Sequence, residues 1–216
     1  MADVEIDASR FYNVRDSLYK RDRRSPLNII LNVIIVFFCV LLILELSFNA
    51  LFSGIYVIDK SMTPTLIGAQ AANRAGGDFI YIDKSAKPHY GDIVVVYRET
   101  DDGTKGNIIK RVVAFGGDTV ELINGVLKVN GEVVDESYLD SRYNSPDDAY
   151  NSFGEHTVAE GCMFLLGDNR NVSSDSRQGI DYPVENLVGV VPKWSIKLKS
   201  LTTKFYTFFN FTLWGK

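Results

Sequence analysis

The residues of this chain with the most chemical potential are Ser61, Lys110 and the cluster Ser173, Asp175 and Arg177. Ser61 opens Ser61-Met62-Thr63-Pro64-Thr65-Leu66, where Pro64 fixes its own φ and biases Thr63 toward an extended conformation, so the loop is expected to be ordered. A serine hydroxyl is a poor nucleophile until a base removes its proton, and the usual base is a histidine held by a carboxylate. The only histidines are His89, beside Pro88 in a turn, and His156, in a polar stretch; neither has a motif-like setting. A lysine serves instead if it is neutral near pH 7–8, which its reference pKa of ~10.4 allows only in a desolvated site kept from carboxylates. Lys110 fits best, set between Ile108-Ile109 and Val112-Val113, whereas Lys84, Lys87 and Lys105 lie in polar turns.

Neighbours on a strand face opposite sides, so Lys110 either lies on a wet face or points inward while Arg111 does the reverse. One of the pair must point inward and needs a reason to be there. The stretch Gly167-Asp168-Asn169-Arg170-Asn171-Val172-Ser173-Ser174-Asp175-Ser176-Arg177 is dense in turn formers and charge. It reads either as a solvated loop held by Asp and Asn hydrogen bonds or as a braced one. In the braced reading Asp175 pairs with Arg177, and Ser173 hydrogen-bonds a buried amine.

Composition narrows the field. With 23 basic and 27 acidic residues the net charge is -4, which argues against a nucleic-acid surface. The two cysteines, Cys39 and Cys162, are too few for a disulfide framework and are expected to be free. Without a C-x-x-C pair or a histidine cluster, neither a metal site nor a cofactor is expected.

The elements that must position these residues follow a clear order. Residues 1–25 are polar and end near Lys20-Arg21-Asp22-Arg23-Arg24; from Leu27 to Leu44 only Asn28 and Asn32 interrupt an apolar run. A helix of ~20 residues spans the ~30 Å hydrocarbon core, so residues 26–48 read as a transmembrane anchor. Basic residues before it and none close behind place the N-terminus in the cytosol and residues 49–216 outside. A cleavable signal peptide would have a core of only ~7–15 residues and a small-x-small site, whereas Phe48-Asn49-Ala50 puts Phe where a small residue belongs.

Beyond the anchor the spacing predicts strands: Ile55–Ile58, Phe79–Ile82, Ile93–Tyr97, Ile108–Phe115, Thr119–Ile123, Val126–Val129, Glu132–Val134, Met163–Leu166, and finally Gly189–Val191 and Ile196–Leu198. Asn124-Gly125 and Asn130-Gly131 sit between apolar runs and predict two hairpins of one meander. Gly68–Gly77 reads as a loop and residues 136–156 as a surface excursion. No long amphipathic helix is expected after residue 50, and the tail, residues 203–216, is either a last core strand or an aromatic belt on a bilayer. The fold class is mainly β: an antiparallel β-sheet catalytic domain behind one N-terminal transmembrane helix.

Together the segments S-M-T-P-T-L, K-R-V-V-A-F-G-G-D and G-D-N-R-N-V-S-S-D-S-R, with Gly91-Asp92-Ile93-Val94-Val95 between the first two, resemble the conserved boxes of bacterial type I signal peptidases (leader peptidases). The likeness runs from the anchor to about residue 192. It implies a membrane-bound serine endopeptidase that removes signal peptides from secretory preproteins through an acyl-enzyme, with membrane phospholipid as its surroundings. It implies Ser61 as nucleophile, Lys110 as general base, Ser173 as the residue orienting the lysine, and Asp175 with Arg177 as a structural ion pair supported by Arg111. Met62, Pro64 and Leu66 would line the cleft for the small residues before the cut. The chain departs from the pattern at Asp59, where many relatives have a serine or glycine contributing to the oxyanion hole; a carboxylate cannot donate there, which leaves backbone N–H groups, chiefly that of Ser61. Other readings are a self-cleaving repressor-type Ser-Lys protease, which would carry a DNA-binding helix-turn-helix or a short arm in place of the anchor, and an inactive membrane-tethered module that holds signal peptides.

Overall fold

The apolar run after Ser25 forms helix α1, Pro26–Leu51, with its side chains exposed along its whole length. In this computed structural model, which describes residues 25–69, 76–99, 103, 105–146 and 151–214, it is the one helix among the described residues long and apolar enough to cross a membrane. The basic run at Lys20–Arg24, residues 70–75 of the expected Gly68–Gly77 loop and residues 147–150 of the expected excursion lie outside the described residues. The chain divides into two compact units that meet in sequence at Phe48 and Asn49.

All strand pairings in the second unit are antiparallel. Its strands are β1 (Phe52–Tyr56), β2 (Phe79–Asp83), β3 (Ile93–Glu99), β4 (Lys105–Phe115), β5 (Thr119–Ile123), β6 (Val126–Val129), β7 (Glu132–Val133), β8 (Phe153–Thr157), β9 (Cys162–Leu166), β10 (Tyr182–Pro183) and β11 (Leu187–Val190). A seven-stranded sheet has the order β1-β2-β11-β3-β4-β9-β10 and a four-stranded one the order β7-β6-β5-β8. Both Asn-Gly pairs make the turns that their positive φ tolerance allows: Asn124 and Gly125 have φ of 51° and 79°, Asn130 and Gly131 of 53° and 80°.

The apolar runs follow from burial on both faces of the larger sheet. Ile93 and Val95 pack with Val57, Met62, Leu66, Ile80 and Ile82, whereas Val94 and Val96 pack with Val112, Met163 and Leu165 on the other face. A strand without a wet side needs no alternation. In the same ladder Lys110 stands opposite Val94 and Arg111 opposite Ile93. Both are therefore buried, at 2% and 9% exposure, where the sequence allowed only one of them inside.

The carboxyl end departs from expectation. Ile196–Leu198 is not a strand, and a long amphipathic helix does follow residue 50: α2 spans Lys193–Trp214 and takes in the aromatic tail. Its inner face does the work of a strand. Strand β2 pairs with β1 along its length but meets β11 only at Asp83. The remaining edge is closed by α2: Ser195 Oγ accepts from Tyr81 N at 2.7 Å, Thr203 Oγ1 accepts from Phe79 N at 2.7 Å, and Thr202 Oγ1 donates to Phe79 O at 2.7 Å. The rings of Phe79 and Tyr206 stack at 4.1 Å over this seam.

Candidate active site

Ser61 is held in a tight turn by two buried side chains that follow it, Met62 and Leu66, at 1% and 0% exposure. Leu66 N donates to Met62 O at 2.9 Å and Thr63 N to Lys60 O at 3.1 Å, and the Thr63–Pro64 bond is cis. Behind the turn, α2 contributes Lys199, whose Nζ donates to Thr65 O at 2.7 Å and to Asp78 at 3.0 Å. Lys110 Nζ reaches Ser61 Oγ at 2.8 Å and Ile109 O at 3.0 Å. Burial pushes the Lys110 amine below its ordinary pKa; Asp59 and Asp175 work against that shift and Arg98 adds to it.

The stretch from Gly167 to Arg177 wraps round this pair. Asn169 N donates to Ser61 O at 2.8 Å, and its side chain donates to Lys60 O at 3.2 Å, so the backbone on both sides of the serine is clamped. Asp168 is buried between the nucleophile turn and β4: Thr65 donates its hydroxyl to it, and Arg111 grips it through Nε at 2.8 Å and Nη2 at 2.6 Å. Arg111 also donates to Gly91 O at 2.7 Å and lies 3.9 Å from the centre of the Tyr138 ring. Asp175, fully buried, accepts from Gly167 N at 3.0 Å and from Arg177 Nε at 2.8 Å. Arg177 also donates to Asn151 Oδ1 at 2.9 Å and to Ser173 O at 3.2 Å.

Several placements differ from expectation. Ser173 is buried beside Gly167 and Ser61 O, but its hydroxyl makes no bond to Lys110 and has no partner among the described residues. Of the three residues expected to line the cleft, Met62 does so in a cavity of about 120 Å³ shared with Tyr56, Asp59, Asn107, Ile109 and Lys110. Leu66 instead belongs to the core beneath, and Pro64 lies in the turn away from the cavity lining. Asp59 is exposed and accepts from Lys60 N at 2.6 Å. His89 pairs with Asp92 and His156 with Asp181, so neither bonds Ser61. Among the described residues no three His, Cys, Asp or Glu side chains converge as metal ligands.

Sequence reasoning passed over a buried support. The stretch read as a surface excursion carries Glu136, which forms an ion pair with Arg170, itself 1% exposed. Arg170 Nε in turn donates to Gly167 O at 3.1 Å. Tyr138, Asn144, Ser145 and Asn151 also tie this stretch to the rest of the domain through Arg111, Gly125, Asn171 and Arg177. The nearest local acid, Asp168, sits at the same spacing as Asp175 does to Arg177 but is taken by Arg111, so the long-range pair with Glu136 leaves no local signal.

Gly167 is the tightest point of the site. A Cβ added there would fall 2.2 Å from Ser173 Oγ and 2.5 Å from Ser61 O. Gly167→Ala is expected to push the serine from the lysine and lower kcat by at least about 10²-fold, since a misplacement of about 1 Å costs that much. Steady-state cleavage by the folded variant, with folding checked by circular dichroism, reads this directly; an unchanged kcat would overturn the tight fit.

The family model described as signal peptidase, peptidase S26, matches residues 30–199. A signal peptidase I of Bacillus amyloliquefaciens is 32% identical over 64% of this chain and 70% of its own length. Signal peptidase I P of Bacillus subtilis subsp. natto is 31% identical over 80% of this chain and 92% of its own. A crystal structure of a signal peptidase I from Enterococcus faecalis V583 aligns with a TM-score of 0.42 and 29% identity, over 50% of this chain and 98% of that one.

Proposed function

Because the chain belongs to the peptidase S26 family of signal peptidases, serine endopeptidases that remove signal peptides, we propose that Ser61 is its nucleophile and Lys110 its general base. The observation that carries this reading is the 2.8 Å contact between Ser61 Oγ and the buried Lys110 amine. In the working form Lys110 is neutral and accepts the Ser61 proton as Oγ attacks the scissile carbonyl. The oxyanion that forms needs a donor, and the Ser61 N–H donates to nothing among the described residues, which leaves it for that task. The Lys110 ammonium then gives its proton to the departing amine, leaving an ester on Ser61. Lys110 next takes a proton from water, which attacks the ester, and Ser61 recovers its hydroxyl. Asp168, Arg111, Asp175 and Arg177 hold the two loops in register and move no proton.

Substrates are secretory preproteins, and α1 is the anchor that keeps the enzyme at the lipid. The basic run before the anchor supports an N-terminus in the cytosol and a catalytic unit on the outer side. A self-cleaving repressor is disfavoured by the family match, which begins inside the anchor at residue 30.

The test is covalent labelling of the detergent-solubilised enzyme with a serine-directed acylating inhibitor, mapped by mass spectrometry, alongside preprotein cleavage. Ser61 is expected to carry the label. Since burial lowers the Lys110 pKa, the neutral amine dominates above that lowered value. Labelling and kcat/KM therefore rise with pH through a midpoint below the ~10.4 of ordinary lysine. A label on another residue, or a rate that falls as pH rises through this range, would overturn the dyad.

A further inference from the structure

Helix α2 has a second face that the catalytic reading does not use. Its inner face is spent on β2 through Ser195, Thr202 and Thr203, and on Thr65 and Asp78 through Lys199. The side turned from the sheet presents Leu198, Leu201, Phe205 and Phe208, which recur at intervals of three, four and three and so form one stripe. Leu201 is 63% exposed, and Phe205 and Phe208 are each 64% exposed. Contiguous apolar surface of this kind is rare on a soluble monomer unless something covers it. Along one border of the stripe run Lys193, Lys197 and Lys204, all exposed, and no aspartate or glutamate occurs anywhere from Lys193 to Trp214.

We propose that this face of α2 lies in the headgroup region of an anionic lipid bilayer, with the stripe immersed and the lysine row at the phosphates. An aromatic and aliphatic stripe bordered by lysines is the pattern of a helix that lies in the interface rather than crossing it. The charge decides between occupants. A second copy of this chain set stripe to stripe would bring two lysine rows together with no acid on either helix to neutralise them, whereas anionic headgroups supply the missing charge. The bilayer is also at hand, because the family is membrane-associated and the chain carries the apolar helix α1. The inference rests on that association and not on the Ser61–Lys110 chemistry.

The experiment uses the full chain in vesicles of phosphatidylcholine and phosphatidylglycerol. Cys39 and Cys162, both free, are replaced by serine and alanine, and a nitroxide is placed at Leu201→Cys or at Ser200→Cys. Preprotein cleavage by each labelled protein confirms its fold and separates a failure of this proposal from a failure of the dyad. The label at position 201 is expected to be reached by oxygen but not by an aqueous nickel chelate, at a depth of roughly 5–10 Å. The label at position 200 is expected to stay in water. Removing phosphatidylglycerol or adding salt should draw the label at 201 outward. Equal exposure of both labels to the nickel chelate would overturn the proposal. So would a label at 201 shielded from both reagents and broadened by a second spin, the mark of paired copies. Identical insertion into pure phosphatidylcholine would overturn the role of anionic lipid.

Discussion

Lys110→Arg is expected to abolish preprotein cleavage, with a loss of roughly 10⁴- to 10⁶-fold in kcat, the range seen when a nucleophile or its base is removed. Arginine keeps the positive charge and reaches as far, but its guanidinium stays protonated at any working pH and cannot take the Ser61 proton. Lys110→Met is the companion, since it removes the base with less change of shape, and it should be equally inactive. The two variants part in stability. The Lys110 site disfavours the charged amine, so in the wild type the unfolded chain binds more protons than the folded one between the lowered folded pKa and the ordinary unfolded value. Folding stability from this group therefore rises as pH rises through that window, and the burden of the buried ammonium is fully present below it. The methionine variant is expected to melt at or above the wild-type temperature, with the largest gain on the acid side. Thermal scans over a pH series, read beside turnover, check both halves. Activity in the arginine variant would sink the lysine-base mechanism, and a methionine variant less stable at every pH would show that the site favours the ammonium.

Glu136→Gln is the second substitution with a large expected effect, and it acts on stability first. It leaves the guanidinium of Arg170, 1% exposed, without its counter-charge. Breaking a buried pair from one side costs about 3–5 kcal/mol, against about 0–1 for an exposed pair such as Lys105 with Glu99. At roughly 2–4 °C per kcal/mol for a domain of this size, the melting temperature should fall by about 6–20 °C. Turnover should fall too, because Arg170 Nε holds the carbonyl of Gly167, the residue packed against Ser61 O and Ser173. Adding Arg170→Met should recover part of the stability, since an apolar pair avoids the uncompensated charge. If the double variant melts lower than the sum of the singles, the pair is not the source of the loss.

The sequence displayed the strands of the catalytic core because their patterns are local. Ile93–Val96 is apolar in every position, and the Asn-Gly turns carry their own dihedral requirement. It singled out Ser61 and Lys110 by type and setting but paired them only through a resemblance, since they lie 49 positions apart and no local pattern encodes their meeting. Two features were hidden for physical reasons. The first is α2: its segment from Leu201 to Phe208 is rich in Thr, Phe and Tyr, which favour strands by propensity. Tertiary contact overrides that preference, because the threonine hydroxyls are wanted at the edge of β2. The second is the support from Glu136 and Tyr138. Polar residues between turn formers look solvated until a partner such as Arg170 or Arg111, more than twenty residues away, is known.

The use of hydroxyl side chains in place of a neighbouring strand has a consequence for how this protein can be cut and fused. A strand finishes its neighbour with backbone groups, which almost any sequence supplies, so its residues drift freely. Here the finishing groups are Ser195, Thr202 and Thr203 at fixed places on a helix, and with Lys199 they reach the turn that carries the nucleophile. The carboxyl end is thus a keystone rather than a trailing end. A chain stopped before Lys193 would bare the peptide groups of Phe79 and Tyr81 and release Thr65, so a soluble enzyme should be sought by trimming at the amino end, between Phe48 and Asn49, with the last helix left whole.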